Sequence, residues 1–361
     1  MHLPLVVDAW SRRVYGRAIK RLVALAPITV VACLAAAITS MAADGSGQVS
    51  IGLVLPDAQI SRTGDPFTYG AYRGLVRAKR VLHVNARTAV TSPTGPVLSP
   101  FSYLARQRPD LLIAVGTAET PGLSQAVRLF PHVRFAWLDA PRNEITGRPP
   151  PPENLEGTVF HTEQAAYLAG FVAAHMADRS RGPHVVSSVG GFPTPQVQAY
   201  IAGFRAGAKR ADPKIKLLNN YSGDWLNQAK CAQVALHQIA QGSRVVFNVA
   251  GVCGIGALKA AIREHVYGVG VDTDQSNLSR RYILTSAVVN LNVAVYDLAK
   301  RLVREGLPTG GNLSFDLRDH GVGLGRFSPE VPLKLRHALI PLAAQIERGK
   351  IAVPMTLSRS H

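Results

Sequence analysis

Two carboxylates stand two residues apart at the end of an apolar run, in the stretch "VYGVGVDTDQ" over residues 266–275. A pair of this kind can bind a hard cation, exchange protons as a general acid and base, or accept hydrogen bonds from a neutral ligand. A metal site would need further oxygen ligands nearby, and the Asp/Asn-rich loop that supplies them is missing. We therefore predict no metal here. Asp272, which leaves the apolar run first, is predicted to contact a ligand, and Asp274 to organise the turn.

Other polar and aromatic residues also directly follow apolar runs that read as strands. In open parallel sheets, ligands bind beyond the carboxyl ends of the strands, so these residues would share one cleft. Aromatic rings can sandwich a planar group, and carboxylates accept hydrogen bonds from hydroxyls or ring N–H groups. The set is Asp57, Asp65, Phe67, Gly116, Thr117, Asp139, Gly190, Gly191, Asp224, Trp225, the glycine-rich stretch 251–256, Asp272 and Asp274.

Each member of this set also has a simpler interpretation. A single Asp after a strand is most often a helix N-cap or a turn former, and Phe67 or Trp225 could be ordinary core residues. Convergence of aromatics and carboxylates at one rim favours binding of a neutral, hydroxyl-rich or heteroaromatic ligand. Motifs for catalysis are absent from the sequence, which has no G-x-S-x-G, P-loop lysine or H-E-x-x-H pattern. We predict neither an enzyme nor a cofactor.

The elements that must position these residues alternate from Val49 onward between apolar β-rich runs and amphipathic helix-length segments. Continuous apolar strands separated by helices indicate parallel sheets covered on both faces, so the fold class is doubly wound α/β. A proline-rich break, "GRPPPPENLEG" at 147–157, separates two sets of βα units. The predicted result is a hinged clamshell of two lobes. Its boundaries are 48–157 plus 290–328 for the first lobe, 158–289 for the second, and 329–361 for a C-terminal helix and tail.

The first 42 residues read as an export signal, with a basic segment, an apolar stretch and a small-residue cleavage site after Ala42. Two alternatives stay open: "VVAC" resembles a lipobox that would place a lipid on Cys33, and the leader could remain as an uncleaved anchor. The segment "SRRVYGR" also resembles a twin-arginine signal. All of these predict a periplasmic or other extracytoplasmic protein.

The chain is strongly basic, with a formal charge of +17, of which the leader holds five basic residues against Asp8 alone. Beyond the leader no basic run or aromatic-interleaved patch occurs, so we expect no nucleic-acid partner and a solvated basic surface near an anionic bilayer. Outside the leader two cysteines remain, Cys231 and Cys253. Cys231 lies near the N-terminus of a predicted helix and Cys253 just past the end of the strand that follows it, so a disulfide is feasible; two free buried thiols are the alternative.

Ten segments in register resemble the basic membrane protein family of ABC-transporter substrate-binding proteins, whose characterised members include purine nucleoside receptors. The resemblance implies a type I periplasmic-binding-protein clamshell that binds a ligand between its lobes and delivers it to a membrane permease. We expect a monomer. Among the segments are "FTYGAYRG", "PDLLIAVG", "NLEGTVFHTEQAAYLAGFVAA", "VGGFPTPQVQAYIAGFRAGAK", "YSGDWLNQAK", "VVFNVAGVCGIGALKAA" and "GVGVDTDQ".

The resemblance assigns roles to particular residues. Phe67 and Trp225 would stack on a nucleobase, Asp57 would bond to the base, Asp139 and Asp272 would hold ribose hydroxyls, and Gly251 would line the pocket. Thr68, in place of the family's usual asparagine, would also face the ligand. Val289 stands where the family has a ribose-contacting lysine, and Asn292 where it has an acidic residue. A nucleoside-like ligand is therefore the favoured expectation, and a sugar or other small solute, or a ligand-sensing module of a signalling system, is the alternative.

Overall fold

Two six-stranded sheets carry the fold, and the chain completes most of the first before it begins the second. The structure, a computed structural model, describes residues 48–56, 66–92, 94–145, 150–179, 182–306 and 309–357. Three predicted features lie outside the described residues: the leader with Cys33, Asp57 and Asp65.

The elements follow each other in regular βα alternation. The strands are β1 (Ser50–Leu55), β2 (Asn85–Val90), β3 (Leu111–Val115), β4 (Phe135–Leu138), β5 (Leu155–Phe160), β6 (Val185–Gly190), β7 (Lys216–Tyr221), β8 (Val245–Val249), β9 (Tyr267–Asp272), β10 (Ile283–Val289), β11 (Asn312–Phe315) and β12 (Val322–Leu324). The helices are α1 (Pro66–Leu82), α2 (Ser99–Ala105), α3 (Thr120–Leu129), α4 (Thr162–Asp178), α5 (Pro195–Ala211), α6 (Gln228–Ala240), α7 (Gly251–Arg263), α8 (Leu291–Glu305) and α9 (Leu333–Glu347).

The first lobe is built on a sheet of strand order β11-β5-β4-β3-β1-β2, in which all pairings are parallel. Every residue of β3 is buried. Ile113 packs in one apolar cluster with Leu75 of α1, whereas Leu112 packs in another with Phe101 of α2. Successive strand residues point to opposite faces, so helices cover both sides of this sheet. The predicted doubly wound arrangement is confirmed.

The second lobe is built on a sheet of order β12-β10-β9-β8-β6-β7. Its strands are parallel except for β12, which pairs antiparallel with the end of β10. The helix α4 is buried on nearly every side and packs against α5, α9 and the face of this sheet. A helix that is apolar all round belongs in a core, which is the place α4 occupies.

The chain passes between the two sheets three times: after β5, after β10, and between β11 and β12. The three connecting segments are hydrogen-bonded together. The His161 amide donates to the Phe315 carbonyl and the Asn290 amide to the Gly321 carbonyl, each at 2.8 Å. The lobes are therefore joined by one narrow, internally bonded region.

This connectivity corrects the predicted lobe boundaries at two points. Residues 158–160, assigned to the second lobe, complete β5 of the first sheet. The segment 290–328 was assigned whole to the first lobe, but β12 lies within it and belongs to the second sheet. A three-residue antiparallel strand has too little apolar periodicity to be read from the sequence, which explains the second difference.

Helices α4 and α5 approach so closely that only glycines fit at the contact. A Cβ atom on Gly207 would collide with the Tyr167 carbonyl oxygen, one on Gly203 with the Glu163 carbonyl, and one on Gly170 with the Phe204 carbonyl. Backbone cannot move aside as a flexible side chain can, so this helix pair depends on the absence of side chains at three positions.

Among the described residues, no helix has the length and apolar character required to cross a bilayer.

We predict that Gly207→Ala lowers the free energy of unfolding by about 1–3 kcal/mol or more, the range for overpacked cores. The matched control is Gly70→Ala in α1, where the nearest atom to an added Cβ is Leu291 Cβ at 3.7 Å. That change should be neutral or stabilising by up to about 1 kcal/mol, because alanine favours helix over glycine. Urea unfolding followed by circular dichroism measures both. Equal effects of the two changes would show that the close contact has no energetic consequence.

Candidate ligand-binding site

Residues from both lobes meet at the carboxyl ends of the two sheets. Asp139 follows β4 of the first lobe, and Asp272 is the last residue of β9 in the second. The negative charge of Asp272 raises the pKa of Asp139, so the two carboxyls, one from each lobe, lie within electrostatic range of each other. The structure thus brings together two predicted site residues from different lobes.

Both aspartates have a backbone conformation that is uncommon for residues with a side chain. Their φ angles are +64° at Asp139 and +61° at Asp272, in the left-handed region. The Asp139 amide donates to Thr158 Oγ1 at 3.0 Å, and that hydroxyl donates to the Trp137 carbonyl at 3.2 Å. Neighbouring strands therefore hold the turn that carries Asp139, and strained conformations of this kind cluster at ligand sites.

The electrostatic surroundings of Asp139 favour its protonated form. Burial first, and then the negative charges of Asp272 and Glu144, raise the pKa of Asp139 from 3.8 to about 8. Near neutral pH Asp139 therefore keeps its proton close to the carboxyl of Asp272. Such a pair can donate one hydrogen bond and accept several, which matches a group with adjacent hydroxyls.

Tyr200, a residue that was not predicted, fixes the second carboxylate. Its hydroxyl donates to Asp272 Oδ1 at 2.9 Å from the buried face of α5. Burial raises the pKa of Tyr200 well above its ordinary value, with the charges of Asp272 and Asp139 acting in the same direction. The phenol is therefore a permanent donor. In the sequence Tyr200 reads as an ordinary core residue of an amphipathic helix, and no local signal distinguishes it.

Phe67 and Gly116, both predicted at strand ends, are in contact in the first lobe. A Cβ on Gly116 would lie 3.7 Å from Phe67 Cε1, so the phenylalanine ring covers this glycine. Trp137 Nε1 donates to the Gly116 carbonyl at 2.9 Å and holds the turn after β3. Thr68, the next residue, has 1% of its surface exposed and is therefore buried.

Trp225 lies at the corresponding edge of the second lobe, in the turn between β7 and α6. Its ring packs against Gly191, where any Cβ would collide with it, and its Cε3 would lie 3.7 Å from a Cβ on Gly251. These two glycines give the indole a flat backbone surface on one side, while 40% of the residue stays exposed. Predicted residues Trp225 and Gly251 are thus neighbours.

A second aromatic residue, Phe192, stands beside Trp225. The ring centroids are 5.4 Å apart with an interplanar angle of 50°, and 39% of Phe192 is exposed. The sequence contained the signal for this residue, since Phe192 directly follows Gly190 and Gly191 at the end of β6. Two partly exposed rings at one strand edge extend the apolar surface available to a planar ligand.

Two other strand-end carboxylates, Asp224 and Asp274, stabilise the turns in which they lie. Asp224 Oδ1 accepts from the amides of Leu226 and Asn227 at 2.9 and 3.0 Å, and Lys230 pairs with Oδ2. Those backbone hydrogen bonds, with Lys230, hold the pKa of Asp224 well below its ordinary value. Asp274 Oδ1 accepts from the Ser276 amide at 3.1 Å. Asp224 and Asp274 are therefore turn formers.

The two positions at which the chain departs from the resembled family also have clear surroundings. Val289, the last residue of β10, is buried in the apolar cluster and pairs with Val322 of β12. Asn292 lies in the first turn of α8 and is half-buried, and its backbone crowds Gly74 of α1. Val289 contributes apolar surface to the second lobe, where a lysine would bring a charge.

Comparison with known proteins gives one family and one fold. The family model described as "ABC transporter substrate-binding protein PnrA-like" matches residues 50–355. Basic membrane protein B of Borrelia garinii subsp. bavariensis is 27% identical over 288 residues, which are 78% of this chain and 82% of that protein. An uncharacterised lipoprotein of Pyrococcus abyssi is 28% identical over 264 residues, 70% of this chain and 63% of the relative.

Solved structures share the architecture at low sequence identity. A transcriptional activator of the comK gene from Bacillus halodurans superposes with a TM-score of 0.70 at 23% identity, covering 84% of this chain and 99% of that one. A solute-binding protein of an ABC transporter system from Aeropyrum pernix gives a TM-score of 0.67 at 20% identity, covering 86% and 94%. These similarities confirm the predicted type I periplasmic-binding fold.

We predict that Asp139 makes stability fall as pH rises. Between the ordinary pKa of 3.8 and the folded value of about 8, the unfolded chain releases a proton that the folded chain keeps. This loss of unfolding free energy is absent below about pH 4 and complete above about pH 8. Asp139→Asn has no carboxyl to titrate and avoids the loss. The unfolding free energy of the variant minus that of wild type should therefore be larger at pH 9 than at pH 5, by at least about 1.4 kcal/mol.

Urea unfolding at the two pH values checks this. Asp224→Asn is the control, because the pKa of Asp224 is lowered in the fold and both states are ionised throughout the window. Its difference from wild type should be the same at pH 5 and pH 9. A constant difference for Asp139→Asn as well would contradict the raised pKa.

Proposed function

This chain belongs to the PnrA-like family of ABC transporter substrate-binding proteins, and from that premise we propose that it is an extracytoplasmic receptor for a nucleoside-like ligand. Proteins of this family bind small ligands and interact with membrane permeases, and the family is not an enzyme class. The proposal for this chain concerns the chemistry of the ligand, the residues that hold it, and the closure of the lobes around it.

The observation that carries the proposal is the pair Asp139 and Asp272, with one carboxyl from each lobe. With Asp139 protonated and Tyr200 donating to Asp272, the pair offers both donor and acceptor positions. Adjacent ligand hydroxyls, such as those of a pentose, would satisfy both kinds of position at once. A ligand bound there touches both lobes.

Aromatic surfaces support a planar group on the same ligand. Phe67 of the first lobe and Trp225 of the second each lie over glycines at strand ends, with Phe192 beside Trp225. Stacking on such rings tolerates different heterocycles, because every base has a π face. A nucleoside combines a planar base with a hydroxyl-bearing sugar, so it matches the two parts of the site together.

Closure of the lobes would be driven by the ligand. Bringing Asp139 against Asp272 without a ligand costs desolvation and repulsion, whereas a ligand that hydrogen-bonds to both repays this cost. The three connecting segments form the narrow region about which the lobes would turn. In this mechanism no bond of the ligand is broken.

We also propose that the leader exports the chain, with Cys33 as the site of lipid attachment if the leader is processed as a lipoprotein signal. Relatives from two Pyrococcus species carry the word lipoprotein in their names. Mass spectrometry of the protein extracted from membranes distinguishes the possibilities: an N-terminal diacylated Cys33, a free N-terminus after Ala42, or an intact leader.

We predict that a purine nucleoside raises the melting temperature of the mature protein and that Trp225→Ala weakens its binding by about 1–3 kcal/mol, the usual contribution of base stacking. Calorimetric titration measures the affinity. Tyr103→Ala, which removes an aromatic residue that is 62% exposed on α2, is the control and should bind as wild type.

Other outcomes separate the parts of the proposal. Binding of a pentose or polyol without any nucleoside would exclude the nucleoside and keep the receptor. Release of free base from a bound nucleoside over hours would exclude a receptor function. Unchanged affinity in Trp225→Ala would assign Trp225 to the apolar core.

A further inference from the structure

A disulfide joins the first turns of two neighbouring helices directly behind Trp225. Cys231 of α6 and Cys253 of α7 are bonded, with Cα atoms 5.5 Å apart, and both are fully buried. The residues 222–230, called here the Trp225 arm, run from the end of β7 into the first turn of α6 and stop directly before Cys231. The bridge therefore closes on the base of the segment that carries the predicted stacking residue.

Cys253 also contacts the arm itself. Its amide donates to the Trp225 carbonyl oxygen at 2.8 Å. Its Sγ lies 2.9 Å from the Asn227 carbonyl oxygen and 3.5 Å from Ser222 Oγ. One half-cystine thus touches the arm near its start, at Trp225 and near its end.

The rest of the arm is folded within itself. Asp224 Oδ1 binds the amides of Leu226 and Asn227, Asn227 Oδ1 accepts from the amides of Ala229 and Lys230, and Lys230 pairs with Asp224. Bonds of this kind keep the shape of the arm but do not attach it to α7. Attachment to α7 comes through Cys253, through the packing of the indole on Gly251, and through Lys259 Nζ, which donates to Gln228 Oε1 at 3.0 Å.

We propose that the Cys231–Cys253 disulfide determines ligand affinity by holding Trp225 in its stacking position before the ligand arrives. The inference rests on the proposed function, because it takes Trp225 as a ligand-stacking residue. Without the bridge, the ties to α7 at Trp225 itself are the Cys253 amide hydrogen bond and ring packing on Gly251, while the Lys259–Gln228 hydrogen bond holds only the end of the arm that lies in α6. Trp225 then samples other positions. Ligand binding then includes the cost of ordering the arm, which preorganisation by the bridge removes.

A bridge of this kind also stabilises the fold in general, so affinity alone does not test the proposal. The distinguishing property is coupling: removal of the bridge should matter for binding only while Trp225 is present. A double-mutant cycle measures this coupling directly.

The experiment compares wild type, Cys231→Ser/Cys253→Ser, Trp225→Ala and the variant with all three changes, each titrated with the same purine nucleoside well below its melting temperature. We expect the bridge variant to bind the nucleoside about tenfold more weakly than wild type, because binding then includes the cost of ordering the arm. The affinity of the triple variant should equal that of Trp225→Ala within about twofold. Wild-type affinity in the bridge variant, or losses that multiply in the triple variant, would overturn the proposal. If the serine variant does not fold, Cys231→Ala/Cys253→Val replaces the bridge with apolar volume and enters the same cycle.

Hydrogen exchange provides a test that needs no ligand. In the bridge variant the amides of 222–227 and of residue 253 should exchange at least about tenfold faster than in wild type, while those of β3 in the first lobe stay unchanged. Unchanged exchange in the arm overturns the positioning role on its own. If wild type binds no nucleoside, the proposed function fails and this measurement alone decides whether the bridge holds the arm.

Discussion

The facing of two carboxyls across the lobe boundary is the constraint on which the rest of this structure depends. Burial and the negative charge of Asp272 both oppose ionisation of Asp139. Such an arrangement is unfavourable for a fold by itself, and it persists only where the surrounding structure imposes it. Here the left-handed turns at both strand ends, the Thr158 hydroxyl and the Tyr200 phenol impose it. A ligand that hydrogen-bonds to both carboxyls would offset this cost.

The scaffold behind this pair is correspondingly rigid. Tyr200 reaches Asp272 from α5, and α5 is locked against α4 by glycines whose replacement would bring side chains into backbone carbonyls. Helix α4 in turn packs on the sheet that contains β9. A displacement of α5 by one ångström away from Asp272 would lengthen the 2.9 Å hydrogen bond from Tyr200 beyond hydrogen-bonding distance. The orientation of Asp272 therefore depends on the close contact between α4 and α5.

The alternation of apolar strands and helices was enough to predict the doubly wound parallel arrangement, although β2, β5, β11 and β12 were not read as strands. The rule that ligands lie at strand carboxyl ends offered Asp139, Asp272, Phe67 and Trp225 as candidates, and their roles stay predictions. The same rule could not separate Asp139 from Asp224, since each is an aspartate after a strand. In the fold, backbone amides and Lys230 lower the pKa of Asp224, whereas burial and carboxylates raise that of Asp139. These differences come from residues distant in sequence. Tyr200 was missed because a buried tyrosine that bonds a carboxylate and one that fills a core have the same pattern, and β12 was missed because three residues carry no periodicity.

Position 289 bears on what kind of ligand this site would prefer. Its valine is packed among apolar residues beside β12, so the end of β10 contributes surface but no charge. On the proposed function, the sugar-binding part of the site then consists of protonated Asp139 and of Asp272, whose oxygens are mainly acceptors. A ligand rich in hydrogen-bond donors would be favoured over one that presents ring oxygens or phosphate, because each acceptor in a partly buried site must be satisfied by a donor. Negatively charged ligands such as nucleotides would add repulsion to the carboxyl pair. With valine at position 289 in place of the lysine of the resembled family, the site as proposed would therefore prefer neutral ligands that carry hydroxyl or amine groups.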